Sequence, residues 1–235
     1  HFIDKSTLAP TRSLKVSGRP SGIVFYRDLI YVGNLTTGSV EVLNTAGDLQ
    51  FYLGGDKGLF QQINDIAVDV SSGLVYVLDT GAALIRVYNA SDGSATGLVI
   101  GSGDLVRPTA VEVDPTDGRI FVSEYGPSPA VRVYNSDGSP APGDPITGTA
   151  VGFSMPQGLF IDSNQNLFLA EARTGEIRVT DSTYVFVKAI GSRGTGDGEL
   201  YYPLDVFVDA ASNDVFVTDN QNQRIVVYLG GGTVP

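Results

Sequence analysis

Residues 202–228 read YPLDVFVDAASNDVFVTDNQNQRIVVY, and this stretch decides the fold class. Three runs within it, LDVFVD, DVFVTD and RIVVY, are rich in β-branched and aromatic residues. Short polar segments separate the runs, which is typical of β-strands joined by tight turns. The stretch therefore predicts three consecutive short strands, and no part of the chain has a convincing helical pattern.

The same unit recurs along the chain about every 46 residues, which is the signature of a β-propeller. Two positions mark each copy: the polar residue that ends its second strand and the residue with which the copy begins. The strand-end residues are Asn34, Asp79, Glu124, Glu171 and Asp219, and the first residues are Pro20, Asn64, Pro108, Pro156 and Pro203. We expect one all-β domain over residues 1–235, with four-stranded antiparallel blades in repeats 19–58, 59–104, 105–152, 153–198 and 199–235. Five blades are predicted, with six as the alternative.

The start of the chain resembles a missing outer strand. The fifth repeat ends in VVYLGGGTVP and has little room for a fourth strand, whereas RSLKVSGRP, residues 12–20, has the form of one. We therefore expect residues 12–18, and 13–17 in particular, to complete the last blade and to close the ring within this chain. Such closure removes the exposed strand edges that promote aggregation.

The repeats resemble the NHL-repeat family of propellers. The last copy carries the resemblance through Pro203, Asp209, the run VTDNQNQRI and the preceding GTGDGEL. It weakens in earlier copies, where Leu84 stands at the position of Arg224 and Asn34 replaces an acid. The resemblance implies a propeller, commonly of six blades, with roles that range from protein or RNA binding to lyase or hydrolase activity. Fold alone does not choose among these roles.

Composition excludes several functions. Lys and Arg total 15 against 26 Asp and Glu, which gives a formal net charge of −11 and argues against nucleic acid or anionic lipid as a partner. The chain has no cysteine, and its one histidine is His1. Thiolate metal sites and a Ser-His-Asp triad within the ring are therefore excluded. No apolar run approaches the roughly 18 residues of a membrane span.

Two sets of acidic and amide side chains recur with the repeat. The strand-end set is a candidate site for calcium, because propeller symmetry directs such oxygen ligands towards one face near the central channel. The alternative, which we favour, is that each member caps its own turn. A second set follows the first strand of each later repeat and predicts capture of backbone N–H groups in turns. This second set comprises Asp69, Asp114, Asp162 and Asp209.

The leading functional prediction is a non-catalytic binding or scaffold module that presents a loop face to a protein or glycan partner. The longest departures from the repeat are YGPSPA, residues 125–130, and SDGSPAPGDPITGTAVG, residues 136–152. Variable loops on a rigid ring usually carry specificity, so the candidate contacts are Tyr125, Ser128, Asp137 and Asp144. We predict no cofactor, and an extracellular, periplasmic or cell-surface location, alone or in a larger surface assembly. The alternative function is a calcium-dependent lactonase or esterase that uses the strand-end carboxylates.

Overall fold

The computed structural model describes residues 2–3, 10–16, 18–147 and 151–234. The described residues form five antiparallel blades, and within each blade the strands follow chain order across the sheet. Blade 1 contains β3 (Pro20–Tyr26), β4 (Leu29–Asn34), β5 (Ser39–Asn44) and β6 (Leu49–Tyr52), and blade 2 contains β7 (Ile63–Asp69), β8 (Leu74–Asp79), β9 (Leu84–Asn89) and β10 (Ala95–Ile100). Blade 3 contains β11 (Pro108–Val113), β12 (Ile120–Glu124), β13 (Ala130–Tyr134) and β14 (Ile146–Thr147). Blade 4 contains β15 (Pro156–Ile161), β16 (Leu167–Glu171), β17 (Glu176–Thr180) and β18 (Phe186–Ile190), and blade 5 contains β19 (Pro203–Val208), β20 (Val215–Asp219) and β21 (Arg224–Tyr228). The predicted all-β propeller with five blades is confirmed.

The blades are held together by apolar cores between neighbouring sheets. The first strands of successive blades lie side by side, β3 against β7, β7 against β11, β11 against β15, and β15 against β19. Because side chains alternate between the two faces of a strand, each sheet can bury apolar residues against the blade before it and the blade after it. Between blades 4 and 5, for example, Phe168 and Ile177 pack with Val206 and Val217. Four such cores join the five blades.

Every first strand begins with a shift in pairing register, which is a β-bulge repeated at the same place. The first residue of each of these strands pairs with the polar residue that ends the second strand, as Pro203 pairs with Asp219. In blade 2 the residue that pairs with Asp79 is Ile63. The predicted first residue, Asn64, was therefore wrong by one position, because pairing sets the register and proline does not.

The predicted closing strand over residues 12–18 is not formed. Blade 5 has three strands, and residues 13–16 belong to no strand; residue 17 lies outside the described residues. The N-terminal segment instead contributes a short pair, β1 (Phe2–Ile3) with β2 (Pro10–Arg12). Leu14 and Val16 instead pack on the face of blade 1 that points away from blade 2, where Ile30, Val32 and Leu43 form a small apolar cluster. β3 and β19 do not lie side by side as the other first strands do, so the ring is open between blades 5 and 1.

Candidate functional site

The five predicted strand-end residues are buried, each at the last position of the second strand of its blade. From there each side chain can reach the loop that crosses from the preceding blade. The Asp79 carboxylate accepts hydrogen bonds from the backbone N–H of Gln61 (3.1 Å) and Gln62 (2.9 Å) in that crossing loop, and from Ala82 (3.3 Å) in its own turn. Asp79 thus ties its strand end to the crossing loop and to the turn that follows.

Blade 4 repeats this arrangement with a longer acid. The Glu171 carboxylate accepts hydrogen bonds from the N–H groups of Ser154 (2.6 Å) and Met155 (2.8 Å) in the crossing loop, and from Arg173 (3.2 Å) in the following turn. The carboxylate is fully buried, and hydrogen bonds to its charged form offset part of the cost of removing it from water.

The remaining strand-end residues also bind within their own surroundings. Asp219 accepts hydrogen bonds from the Tyr201 N–H (2.6 Å) and the Arg224 guanidinium (2.9 Å). Glu124 accepts one from the Val106 N–H (2.8 Å), and burial raises the pKa of its carboxyl. Asn34 accepts bonds from two N–H groups of its own turn.

Local capping is therefore the role that these contacts display. Each side chain in the set bonds the backbone of its own turn or crossing loop. Among the described residues, no three His, Cys, Asp or Glu side chains are grouped so that they could hold a metal ion.

The second acidic set behaves as the sequence predicts. Each member accepts a hydrogen bond from the N–H two residues later, at 2.8 to 2.9 Å. These turns lie at the opposite end of the blades from the strand-end set, because first and second strands are antiparallel and joined there.

A groove opens beside the two inserted loops of blade 3. It has a volume of about 690 Å³, within the size range of small-ligand sites. Its lining includes Pro127, Ser128, Pro129, Pro145 and Phe153. The lining is mainly apolar, and prolines stiffen the walls because their φ angles are fixed.

Of the four candidate contact residues, the structure brings only Ser128 to this groove. Tyr125 is half-buried, and the Arg107 guanidinium lies 5.7 Å from the centre of its ring. Asp137 caps a turn at the opposite end of the blade, where bonds from the Ser139 hydroxyl and N–H lower the pKa of its carboxyl.

Asp144, the fourth candidate, does not line the groove but binds Arg132, which does. Its carboxylate forms a two-pronged ion pair with Arg132, with Nε–Oδ1 at 2.9 Å and Nη2–Oδ2 at 2.8 Å, and also accepts the Val133 N–H at 2.9 Å. The hydrogen bonds that the Arg132 guanidinium donates to Asp144 raise its pKa above the ordinary value. Arg132 itself lines the groove. The ion pair fastens the second inserted loop to β13 and fixes the groove wall.

Three acids near the channel were not singled out from the sequence. Asp65 on β7, Glu112 on β11 and Asp205 on β19 lie on first strands, and their carboxyls interact electrostatically. The pKa of Glu112 is raised to about 8, mainly by burial; the charges of Asp65 and Asp205 contribute to the rise, and the hydrogen bond from the Val113 N–H opposes it. Burial, and then the charge of Asp205, raises the pKa of Asp65. Glu112 lines a cavity of about 340 Å³ among the turns that join the first and second strands of the blades.

A sequence signal for two of these acids exists. Asp65 and Asp205 stand two residues after the first residue of their strands, immediately after the bulge, where blades 1 and 4 have Gly22 and Gly158. A Cβ atom on Gly158 would lie 2.7 Å from the Asp205 Cα. The glycine therefore makes room for the neighbouring acid.

Fold, repeats and buried strand ends together define a β-propeller, and the comparison with protein families refines that class. The family model described as NHL repeat matches residues 200–228, so the resemblance to NHL-repeat propellers is confirmed in the last repeat. A chain in the crystal structure of a nidogen/laminin complex is similar in fold, with a TM-score of 0.65 and 18% identity over 90% of this chain and 85% of that chain. That identity shows the fold alone. No curated protein sequence matches the chain significantly. No helix within the described residues is long and apolar enough to cross a membrane.

Proposed function

We propose that this propeller is a non-catalytic binding module that receives a segment of a protein partner in the groove beside blade 3. The observation that carries the proposal is the orientation of the strand-end acids. A hydrolase would need several of them in one cavity, whereas Asp79, Glu171 and Asp219 are engaged with the backbone or the guanidinium of their own surroundings. A rigid ring with variable loops on one face is the arrangement expected of a binding module.

The groove favours a protein segment over a glycan. Its walls are mainly proline, alanine and Phe153, which suit apolar side chains and extended backbone. Its polar groups come from Glu124, Ser128, Arg132 and Thr147. The similar fold found in a nidogen/laminin complex, which is an assembly of proteins, supports a protein partner. Secretion or display on a cell surface remains part of the proposal.

A random linear peptide library screened against the purified protein tests this function. A tryptophan at exposed Ser128 would fill the groove, and one at exposed Ser182, in a turn at the opposite end of blade 4, is the matched control. We expect the selected peptides to bind wild type and Ser182→Trp alike, and to bind Ser128→Trp at least about tenfold more weakly. Equal binding to both variants contradicts the proposal.

A glycan array probed with the same three proteins separates the two partner classes. If wild type and Ser182→Trp bind glycans, Ser128→Trp does not, and no peptides are selected, then the partner is a glycan and a protein partner is contradicted.

A further inference from the structure

Glu124 differs from the other strand-end acids in how its two carboxylate oxygens are used. In Asp79, Glu171 and Asp219 both oxygens accept hydrogen bonds. In Glu124 only Oε2 does so, from the Val106 N–H at 2.8 Å. Oε1 has no hydrogen-bond partner within the part of the chain that the structure describes. One acceptor of this carboxylate is therefore unused.

The unused oxygen belongs to a buried side chain. Glu124 is only 6% exposed, yet it lines the groove beside the inserted loops. Burial raises the pKa of its carboxyl, and the single N–H bond compensates only part of the cost of removing the charged form from water. A hydrogen-bond donor that enters the groove would give Oε1 a partner, and a charged donor would offset this cost most.

The charges around Glu124 favour a cation as that donor. The groups that interact with it electrostatically are the Arg132 guanidinium and the carboxylates of Asp144 and Asp104. Arg132 is bound to Asp144 at 2.8 Å and donates to the Asp104 carbonyl at 3.2 Å, so its guanidinium is already engaged. Arg107, in the neighbouring crossing loop, lies against a tyrosine ring instead. Three carboxylates against one engaged guanidinium leave an excess of negative charge at the groove.

The groove walls suit the side chain of a lysine. Pro127, Pro129 and Phe153 line the groove, and a lysine packs its four-carbon stem on such apolar surface while its ammonium reaches a polar group. An arginine fork donates two parallel bonds to the two oxygens of a carboxylate. In Glu124 the Val106 N–H already holds one of these oxygens. A lysine ammonium, which acts as a point charge, needs only the free one.

We propose that the groove binds its protein partner through a lysine, whose stem packs on the prolines and Phe153 and whose ammonium donates a hydrogen bond to Glu124 Oε1. This lysine anchor rests on the function proposed above, because it requires a protein segment in the groove. Glu124 is buried before the partner arrives, so binding does not have to remove its carboxylate from water. The cost of forming the ion pair falls mainly on the lysine.

Peptides selected from the random library provide the first test. Those that bind wild type at least about tenfold more tightly than Ser128→Trp occupy the groove, and we expect them to share a lysine. Norleucine in its place keeps the stem and removes the charge. We expect wild type to bind the norleucine peptide at least about tenfold more weakly than the lysine peptide, and an arginine peptide more weakly as well.

Glu124→Gln is the matched change in the protein. Glutamine keeps a carbonyl oxygen for the Val106 N–H and places an amide N–H group where the free oxygen was. We expect Glu124→Gln to bind the lysine peptide at least about tenfold more weakly than wild type, and to bind the lysine and norleucine peptides nearly alike. Asp137→Asn removes the same charge at the opposite end of the blade and should bind as wild type does.

Failure of the lysine anchor and failure of the proposed function give different results. Groove peptides that bind wild type equally well with lysine or norleucine overturn the anchor and leave the groove as the binding site. Equal loss of binding in Glu124→Gln and Asp137→Asn also overturns it, because long-range charge would then explain the effect. An arginine peptide that binds as tightly as the lysine peptide overturns the choice of lysine.

The absence of any peptide that depends on Ser128 overturns both the anchor and the proposed function. The urea midpoint of Glu124→Gln shows whether the variant folds. Should it not fold, the comparison of lysine and norleucine peptides on wild type decides alone.

Discussion

Replacing Asp79 by alanine tests whether the strand-end carboxylates hold the blades together through their crossing loops. Asp79 is fully buried, and three backbone N–H groups donate to it, two of them from the crossing loop at Gln61 and Gln62. The Asp79→Ala substitution removes all three acceptor contacts and leaves the donors without their partner.

The size of the effect follows from these contacts. A hydrogen bond to a charged group contributes roughly 1.5 to 3 kcal/mol. The contact from Ala82, at 3.3 Å, is long, and Gln61 and Gln62 are exposed, so water replaces part of the loss. We therefore expect Asp79→Ala to lower the free energy of unfolding by about 3 kcal/mol. Asp79→Asn keeps one carbonyl oxygen as an acceptor and should cost about half as much.

Urea unfolding followed by far-ultraviolet circular dichroism measures the change. The matched control is Asp92→Ala, since Asp92 also accepts a backbone N–H, from Ser94, but does so in an exposed turn. We expect little change there. The reasoning is refuted if Asp79→Ala unfolds at the same urea concentration as Asp92→Ala.

Three further substitutions and one addition test other parts of the structure. Glu112→Gln should match wild type at pH 4 and be more stable by about 2 kcal/mol at pH 9 in thermal or urea unfolding. The raised pKa of Glu112, about 8, makes the wild type lose stability as pH rises from 4.5 through 8, and the partial exposure of Glu112 to solvent reduces the full effect. Arg132→Lys should lower the free energy of unfolding by about 1 to 2 kcal/mol, because lysine cannot form both bonds to Asp144. Gly158→Ala should cost about 2 kcal/mol by crowding the Asp205 backbone, and an unchanged urea midpoint would contradict that contact. Millimolar calcium should leave the melting temperature of the wild type unchanged, and a rise of several degrees would favour a cation at the strand ends.

Most of the fold could be predicted because the repeat overdetermines it. Residues 202–228 show the three-strand pattern most clearly. Four weaker copies at a near-constant period predict the other blades, even where Leu84 or Asn34 departs from the pattern. Closure could not be predicted in the same way. Whether residues 13–16 join blade 5 or pack on blade 1 depends on the distance between blades 5 and 1, which no periodic feature of the sequence encodes.

The candidate site was predicted only in part, because some of its contacts are local in sequence and others are tertiary. Turn-capping roles at Asp69 and Asp114 depend on residues two positions away, so sequence is sufficient. The groove depends on tertiary contacts instead. Asp144 was predicted to contact a partner, but its carboxylate binds Arg132, and Ser128 is the one candidate contact that lines the groove.

The strand-end residue of blade 3, Glu124, lies at the groove, and this links the architecture to the proposed function. Asp79 and Glu171 each hold two crossing-loop N–H groups, whereas within the described residues Glu124 accepts only the one from Val106. Glu124 lines the groove, and burial raises the pKa of its carboxyl. One strand-end acid of the repeat thus both holds a crossing loop and lines the groove in which we propose that a partner binds.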